Sequence, residues 1–321
     1  MNNTRVKLAV VIYKTYCMED VRFMVCPLVS SDLYRAKRAI QSCFNQENHN
    51  LSFEVHVVIN SQDKDFIDEI VYFCEYQNIK YYITESNGTP SQGKNSVFEI
   101  FNKSKFTHLA QLDGDDFYYP TFLRHMDRHL RRYPNTDVLG VVPVDIVGNM
   151  KPHLHYEEIG ENLFVTVWNS NFLNLSSILP WGTDPMFTDT STHNWCRHNF
   201  FTKKITRNFK YDVPTVVGED HRLHFELFKA HIDEKITYFF STASDTFVND
   251  RTGESIQKTF SGKKTENGVE VQIDYGLLHN TKNYISTFLE ANRSSPAELP
   301  FDVAPMYLSY DEKINFIKNY Y

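Results

Sequence analysis

Apolar positions between residues 22 and 113 switch repeatedly between two periods. Arg22 to Val29 is an almost wholly apolar run ending at Pro27-Leu28-Val29, which predicts a buried strand. From about Asp32 to Phe44, Leu33, Ala36, Ile40 and Cys43 recur at helical spacing, with Ser31 or Asp32 able to cap the first turn. Val55 to Ile59 predicts a second strand, ending at Asn60-Ser61. Phe66, Ile67, Ile70, Val71 and Cys74 then place a helix over about Asp63 to Gln77. Lys80 to Thr84 is a third strand, and a helix from about Ser91 to Asn102 turns Val97, Phe98 and Phe101 inward. The run Thr107 to Leu112 predicts a fourth strand that ends at Asp113. Strands and helices in alternation build a mostly parallel sheet covered by helices, an α/β fold.

Beyond about Val138 the pattern loosens. Short apolar runs, Val141 to Val144 and Leu163 to Val167, stand between polar loops. Asn199 to Ile205 can return to the sheet, and His221 to Ala230 reads as a helix. Thr246 to Gly268 is polar and reads as a loop, either a lid or a surface excursion. A helix is expected over about Lys282 to Ala291. A last one starts at the capping-box pattern Ser309-Tyr310-Asp311-Glu312, with Ile314 and Ile317 on one side. Arg124, Arg128, Arg131 and Arg132 are spaced like a solvated helix face. His125 and His129 have the spacing of a helical zinc site, but Met126 stands where such a site needs its base, so both read as helix-surface residues.

Composition narrows the class. Hydrophobic residues make up 41% and charged residues 23% of the 321, as in soluble globular proteins. The net charge of −7 argues against a nucleic-acid binder with an overall basic footprint. Five cysteines with no CxxC pair fit reduced thiols in a cytoplasmic protein better than a disulfide framework. No apolar run approaches the ~20 residues of a membrane span.

The chemistry concentrates at Asp113-Gly114-Asp115-Asp116. Three carboxylates in four positions repel one another unless a cation neutralises them. Oxygen-rich sites of this kind suit Mg²⁺ or Mn²⁺ together with a substrate phosphate, and ligands of open α/β sheets bind at the carboxyl ends of strands. Upstream, Gly88 to Lys94 matches the G-x-x-x-x-G-K opening of a P-loop, but Asn95 stands where the metal-binding Ser or Thr belongs. Downstream, the acids of Glu219-Asp220 can cap a helix or supply a base.

Taken in order, the Pro-containing first strand, a strand ending in Asn60, Asn87-Gly88 with Gly93-Lys94-Asn95, the Asp113-Gly114-Asp115-Asp116 turn and Gly218-Glu219-Asp220 resemble a family 2 glycosyltransferase of GT-A fold. The resemblance covers about Phe23 to Ala230. It implies a metal-dependent, inverting transfer of a sugar from a nucleotide diphosphate, a UDP-sugar, to a hydroxyl acceptor, with Mn²⁺ or Mg²⁺ as cofactor. By position, Pro27, Leu28, Val29 and Ser30 would line the uridine pocket. Asn60 stands where the family usually has an Asp that accepts from the base, Asn87 and Gly93 would lie beside the donor, and Lys94 would face the diphosphate. Asp113 would contact the ribose or metal waters, and Asp115 would ligate the metal with Asp116 in support. His279 is the candidate for a further metal ligand from the C-terminal part. Asp220 would be the base with Glu219 beside it. Trp181 and Trp195 fall where the resembled family selects its acceptor, and His221, just after Glu219-Asp220, is a further candidate for acceptor binding. The resemblance divides the chain into a nucleotide-sugar-binding and catalytic domain over residues 1–235 and a C-terminal extension over residues 236–321. Three alternatives stand beside it: a P-loop NTPase, a nucleotide-sugar-binding protein without catalysis, and a glycosyltransferase acting on modified DNA bases.

Overall fold

The computed structural model describes residues 20–141, 144–148, 156–160, 163–166, 197–211, 219–252, 263–266, 269–272 and 301–321. The alternating first half folds as its periodicity requires. Strand β1 (Arg22–Val29) leads to helix α1 (Leu33–Phe44), β2 (Ser52–Ile59), α2 (Lys64–Tyr76), β3 (Lys80–Ile83), α3 (Pro90–Asn102) and β4 (His108–Asp113). Each helix start carries its own cap. The Asp32 carboxylate accepts from the Arg35 N–H, Asp63 from Asp65 and Phe66, and the Thr89 hydroxyl from Gln92, with Pro90 in the first turn.

The remaining described elements are β5 (Phe117–Tyr118), α4 (Phe122–Arg132), β6 (Val138–Val141), β7 (Val144–Gly148), β8 (Tyr156–Gly160), β9 (Leu163–Thr166), β10 (Arg197–Thr202), α5 (Lys203–Asn208), α6 (Glu219–Ile232), β11 (Tyr238–Ser241), β12 (Phe247–Arg251), β13 (Lys263–Glu266), β14 (Val269–Gln272), β15 (Phe301–Asp302) and α7 (Tyr310–Lys318). The central sheet runs β15-β11-β6-β10-β4-β1-β2-β3. Strands β1 to β4 are mutually parallel, as are β6, β11 and β15, and β10 lies antiparallel between β4 and β6. Strand β1 has β2 on one side and β4 on the other, so chain direction across the sheet reverses there. The crevice above the ends of β1 and β4 is the place where an open α/β sheet binds its ligand. A second sheet, β5-β12-β7-β9-β8, packs with α7 through Phe117, Tyr119, Val144, Ile146, Val248, Ile314 and Ile317.

Three expectations change. Residues 247–251 and 263–266, read as loop, form the strands β12 and β13, because β7 and β5 satisfy the backbone of β12 from both sides, burying Val248 and Asp250, and β14 pairs with β13. His125 and His129 are core residues, not surface ones. His125 Nε2 lies 2.7 Å from Asp245, and His129 Nδ1 lies 2.7 Å from Asp302. The arginine face of α4 is only partly solvated. Arg131 and Arg132 are exposed, but Arg128 pairs with Asp302 and Arg124 stacks 3.6 Å from the Tyr307 ring centroid. The charged face covers the distant segment 301–308, which residue spacing on α4 alone cannot reveal. The expected helix over 282–291 lies outside the described residues. Position 235 falls just before β11, which joins the central sheet. No helix among the described residues is long and apolar enough to cross a membrane.

Candidate active site

The acidic turn sits where β4 stops. The Asp116 N–H donates to the Asp113 carbonyl at 3.1 Å and closes the turn. Gly114 is required by proximity. A Cβ there would lie 2.7 Å from the Leu28 carbonyl oxygen and 2.8 Å from Val29 Cα, backbone atoms that cannot step aside. A glycine thus lets the turn rest directly on the end of β1. The turn is also held from below. Arg38, 3% exposed on α1, donates to the Asp115 carbonyl at 2.6 Å and to the Asp250 carboxylate at 2.5 Å. Its guanidinium lies over the rings of Phe117 and Tyr321, and the Tyr321 hydroxyl donates to the same Asp250 carboxylate. Burial would raise the Asp250 carboxyl, but the Arg38 charge and the hydrogen bonds outweigh it and hold the carboxyl low. The Asp116 carboxylate is buried and accepts the Asp250 N–H at 2.9 Å, which ties the turn to β12.

A second arm of the site comes from α3. Gly93 lets this helix approach the end of β2, since a Cβ would meet the Asn60 side-chain nitrogen at 2.7 Å. Asn60 is itself buried, and its side-chain oxygen accepts from the Thr84 hydroxyl at 3.1 Å. One residue on, Lys94 is 3% exposed. Its ammonium donates to Asp220 Oδ1 at 2.6 Å and lies 3.6 Å from Asp113 Oδ2 and 5.3 Å from the Tyr211 ring centroid. Asn95, the residue that spoils the P-loop pattern, has a different task. Its amide donates to the Tyr211 carbonyl and accepts the Tyr211 N–H, both at 2.9 Å, and so holds that ring beneath Lys94. Gly93, Lys94 and Asn95 lie inside a helix that begins at Pro90, whereas a P-loop needs its glycine-rich segment as a loop before the helix.

Asp220 lies in the first turn of α6, and its side chain is 29% exposed. Lys94, Asp113 and Asp220 enclose, with Gln111, His198 and Tyr211, a cavity of about 30 Å³. That is room for a water or a single hydroxyl group. Gln111 is two residues before Asp113 on the same face of β4. Its buried side-chain oxygen has no hydrogen-bond partner among the described residues. Behind the cavity, His198 Nε2 lies 3.3 Å from His224 Nδ1, which is 2.6 Å from the Tyr238 hydroxyl. A larger concavity of about 610 Å³ lies at the other end of the strands, around Glu54, His56, Lys80, Tyr82, Lys103 and Lys105. It contains none of the residues singled out in the sequence.

Sequence reasoning named Lys94, Asp113 and Asp220, and the fold brings them together. Pro27, Leu28 and Val29 are buried within β1 and Ser30 is exposed at its end. Exposed Asn87 accepts from the Thr89 N–H at 2.9 Å in the turn before α3. Glu219 and His221 lie in the first turn of α6, where their side chains are not among those described. Trp181, Trp195 and His279 lie outside the described residues. Gln111, Tyr211, Arg38 and Asp250 went unnamed. Only Gln111 left a signal, its two-residue spacing from Asp113 along a strand. No group of three His, Cys, Asp or Glu side chains among the described residues forms a ready metal cluster.

A family model, Glycosyl transferase family 2, matches residues 35–230, more than half of the chain. The chain belongs to glycosyl transferase family 2. The matched region spans α1 to α6 and contains Lys94, Asp113 and Asp220. The mostly parallel, helix-covered α/β sheet expected from the sequence is the one observed. Among solved structures the chain is similar to S. aureus TarS 1-349, with 15% identity, 72% of this chain and 60% of that chain covered, and a TM-score of 0.46. It is similar also to TarS 1-349 in complex with UDP-GlcNAc, with 15% identity, 74% and 61% coverage and a TM-score of 0.46. This chain thus spans less than two thirds of the TarS chains it matches. No curated protein matches.

Proposed function

We propose that this chain transfers a sugar from a nucleotide diphosphate donor, a UDP-sugar, to a hydroxyl acceptor with inversion at the anomeric carbon. The observation that carries the reading is the meeting of Lys94, Asp113 and Asp220 at the end of β4 in a family 2 chain. Lys94, fixed near the start of a helix, supplies positive charge for a diphosphate. Asp220 is part-exposed and so reachable by an acceptor. In the transfer the acceptor O–H bond breaks and its proton passes to an Asp220 carboxylate oxygen. The acceptor oxygen bonds to the anomeric carbon, and the bond to the diphosphate oxygen breaks with its electron pair. Gln111 Oε1 offers an acceptor to a hydroxyl group that enters the cavity beside it.

The turn suits a divalent cation in its donor set. Mg²⁺ and Mn²⁺ take oxygen ligands, and Mg²⁺ characteristically uses one or two protein carboxylates, completing its shell with water and phosphate. Asp115 and Asp113 would provide those carboxylates, and buried Asp116 would hold the turn in shape. A bound ion would neutralise charge on the departing diphosphate.

Thermal unfolding with UDP, GDP and ATP, each with and without Mn²⁺, tests this reading. At ~100 times its dissociation constant, a ligand of the native state alone adds about 2.7 kcal/mol. UDP should stabilise the protein in a manganese-dependent way, and Asp115→Ala should remove that dependence. Stabilisation by ATP and not UDP would overturn the donor assignment.

A further inference from the structure

We propose that Lys94 is shared between Asp220 and the donor diphosphate, so that donor binding frees Asp220 to receive the acceptor's proton. The proposal rests on the reading of Asp220 as the base. Lys94 lies at the junction of the two functions. Its ammonium is 2.6 Å from Asp220 on α6 and 3.6 Å from Asp113 on β4. The side chain is confined, being buried, with Tyr211 held beside it by both hydrogen bonds of Asn95. A confined ammonium between two carboxylates can shift its main contact by a small displacement without leaving its pocket.

That placement has a chemical consequence. An ammonium bonded to a carboxylate opposes the arrival of a proton there, since both are positive. In the protein as it stands, Asp220 is therefore engaged. A diphosphate carries more charge than one carboxylate and offers several oxygens, so it competes strongly for the same ammonium. As Lys94 turns to the diphosphate, Asp220 is left to the acceptor hydroxyl. Donor then precedes acceptor, and Lys94 is a positioning residue that couples the two steps.

The coupling is reciprocal. If the diphosphate must take Lys94 from Asp220, then neutralising Asp220 must strengthen diphosphate binding. Calorimetric titration with UDP and with uridine, in Mn²⁺, reads this without any acceptor. Asp220→Asn should bind UDP about tenfold more tightly, the scale of one charged hydrogen bond, with uridine affinity unchanged. Asp220→Glu, which keeps the charge, should bind UDP like the unsubstituted protein. With Lys94→Met already present, Asp220→Asn should change UDP affinity by less than about twofold, as a double-mutant cycle requires of a shared partner. Equal or weaker UDP binding by Asp220→Asn overturns the sharing of Lys94 and leaves the donor reading intact. So does a gain that persists undiminished beside Lys94→Met, because it would report general charge alone. If the unsubstituted protein binds neither UDP nor uridine, the donor reading fails and this proposal with it.

Discussion

Asp220 faces Lys94 at 2.6 Å, and Asp302 faces His129 at 2.7 Å with Arg128 on the same oxygen. Each carboxylate faces a nitrogen donor at hydrogen-bond distance, but the surroundings differ. The Asp220 side chain is 29% exposed at the mouth of the strand ends, whereas Asp302 and His129 are enclosed between α4, β15 and β11. Water and ligands can replace a partner at the first site and cannot at the second. A carboxylate at the strand ends can therefore be met by a ligand, and one in the core serves to lock segments together. Burial, not residue type, separates the two roles.

Removing one partner tests the difference most strongly at the core. Asp302→Ala leaves Arg128 and His129 without their carboxylate and should destabilise the fold by about 3–5 kcal/mol in urea unfolding. A loss near zero would mean that the core pair is no lock. Its acid response is set by partners as well. Burial would raise the Asp302 carboxyl, but the hydrogen bonds from His129 and Arg128 prevail and hold it at about 2. This contribution is present above the ordinary carboxylate range and is lost only as pH falls towards 2.

The next effect comes earlier on the pH scale. His108, at the far end of β4 from Asp113, stacks on Phe23 and is pushed down by burial to about 4. Its folded value lies below that of the unfolded chain, so its contribution is intact above about pH 6.5 and lost as pH falls towards 4. Urea midpoints at pH 7, 5.5 and 4 should show a loss of about 3 kcal/mol from this group over that window. A flat profile would show that the buried end of β4 tolerates charge as readily as the site end.

Smallest on stability is Asp220→Asn. Asp220 is part-exposed, Asn keeps an oxygen that can accept, and buried Lys94 still has Asp113 at 3.6 Å, so unfolding should change by less than about 1 kcal/mol. Release of UDP from a UDP-sugar should nevertheless fall by ~10²-fold or more if the carboxylate is the base. A large stability loss would place Asp220 with Asp302 and erase the distinction.

Much of the first half was legible in the sequence because its signals are local. The helix caps at Asp32, Asp63 and Thr89 act within three residues, and so does the capping box at Ser309, whose hydroxyl and Glu312 bond each other's backbone. Strand β12 leaves no such local trace, because Val248 and Asp250 are buried only once β5 and β7 flank them. Helical spacing alone puts His125 and His129 on the surface, because the carboxylates that hold them inside stand far along the chain.

The order of strands and helices from β1 to β4, the acidic turn at the end of β4 and the candidacy of Lys94 and Asp220 are legible in the residue pattern. Periods of two and 3.6 residues and single-turn caps are written in windows of a few residues. Which polar side chains meet is set by the tertiary fold. Lys94 and Asp220 are 126 positions apart, and His129 and Asp302 are 173. Contacts across such distances leave no periodic trace, since they depend on how the sheet closes and which helix covers it.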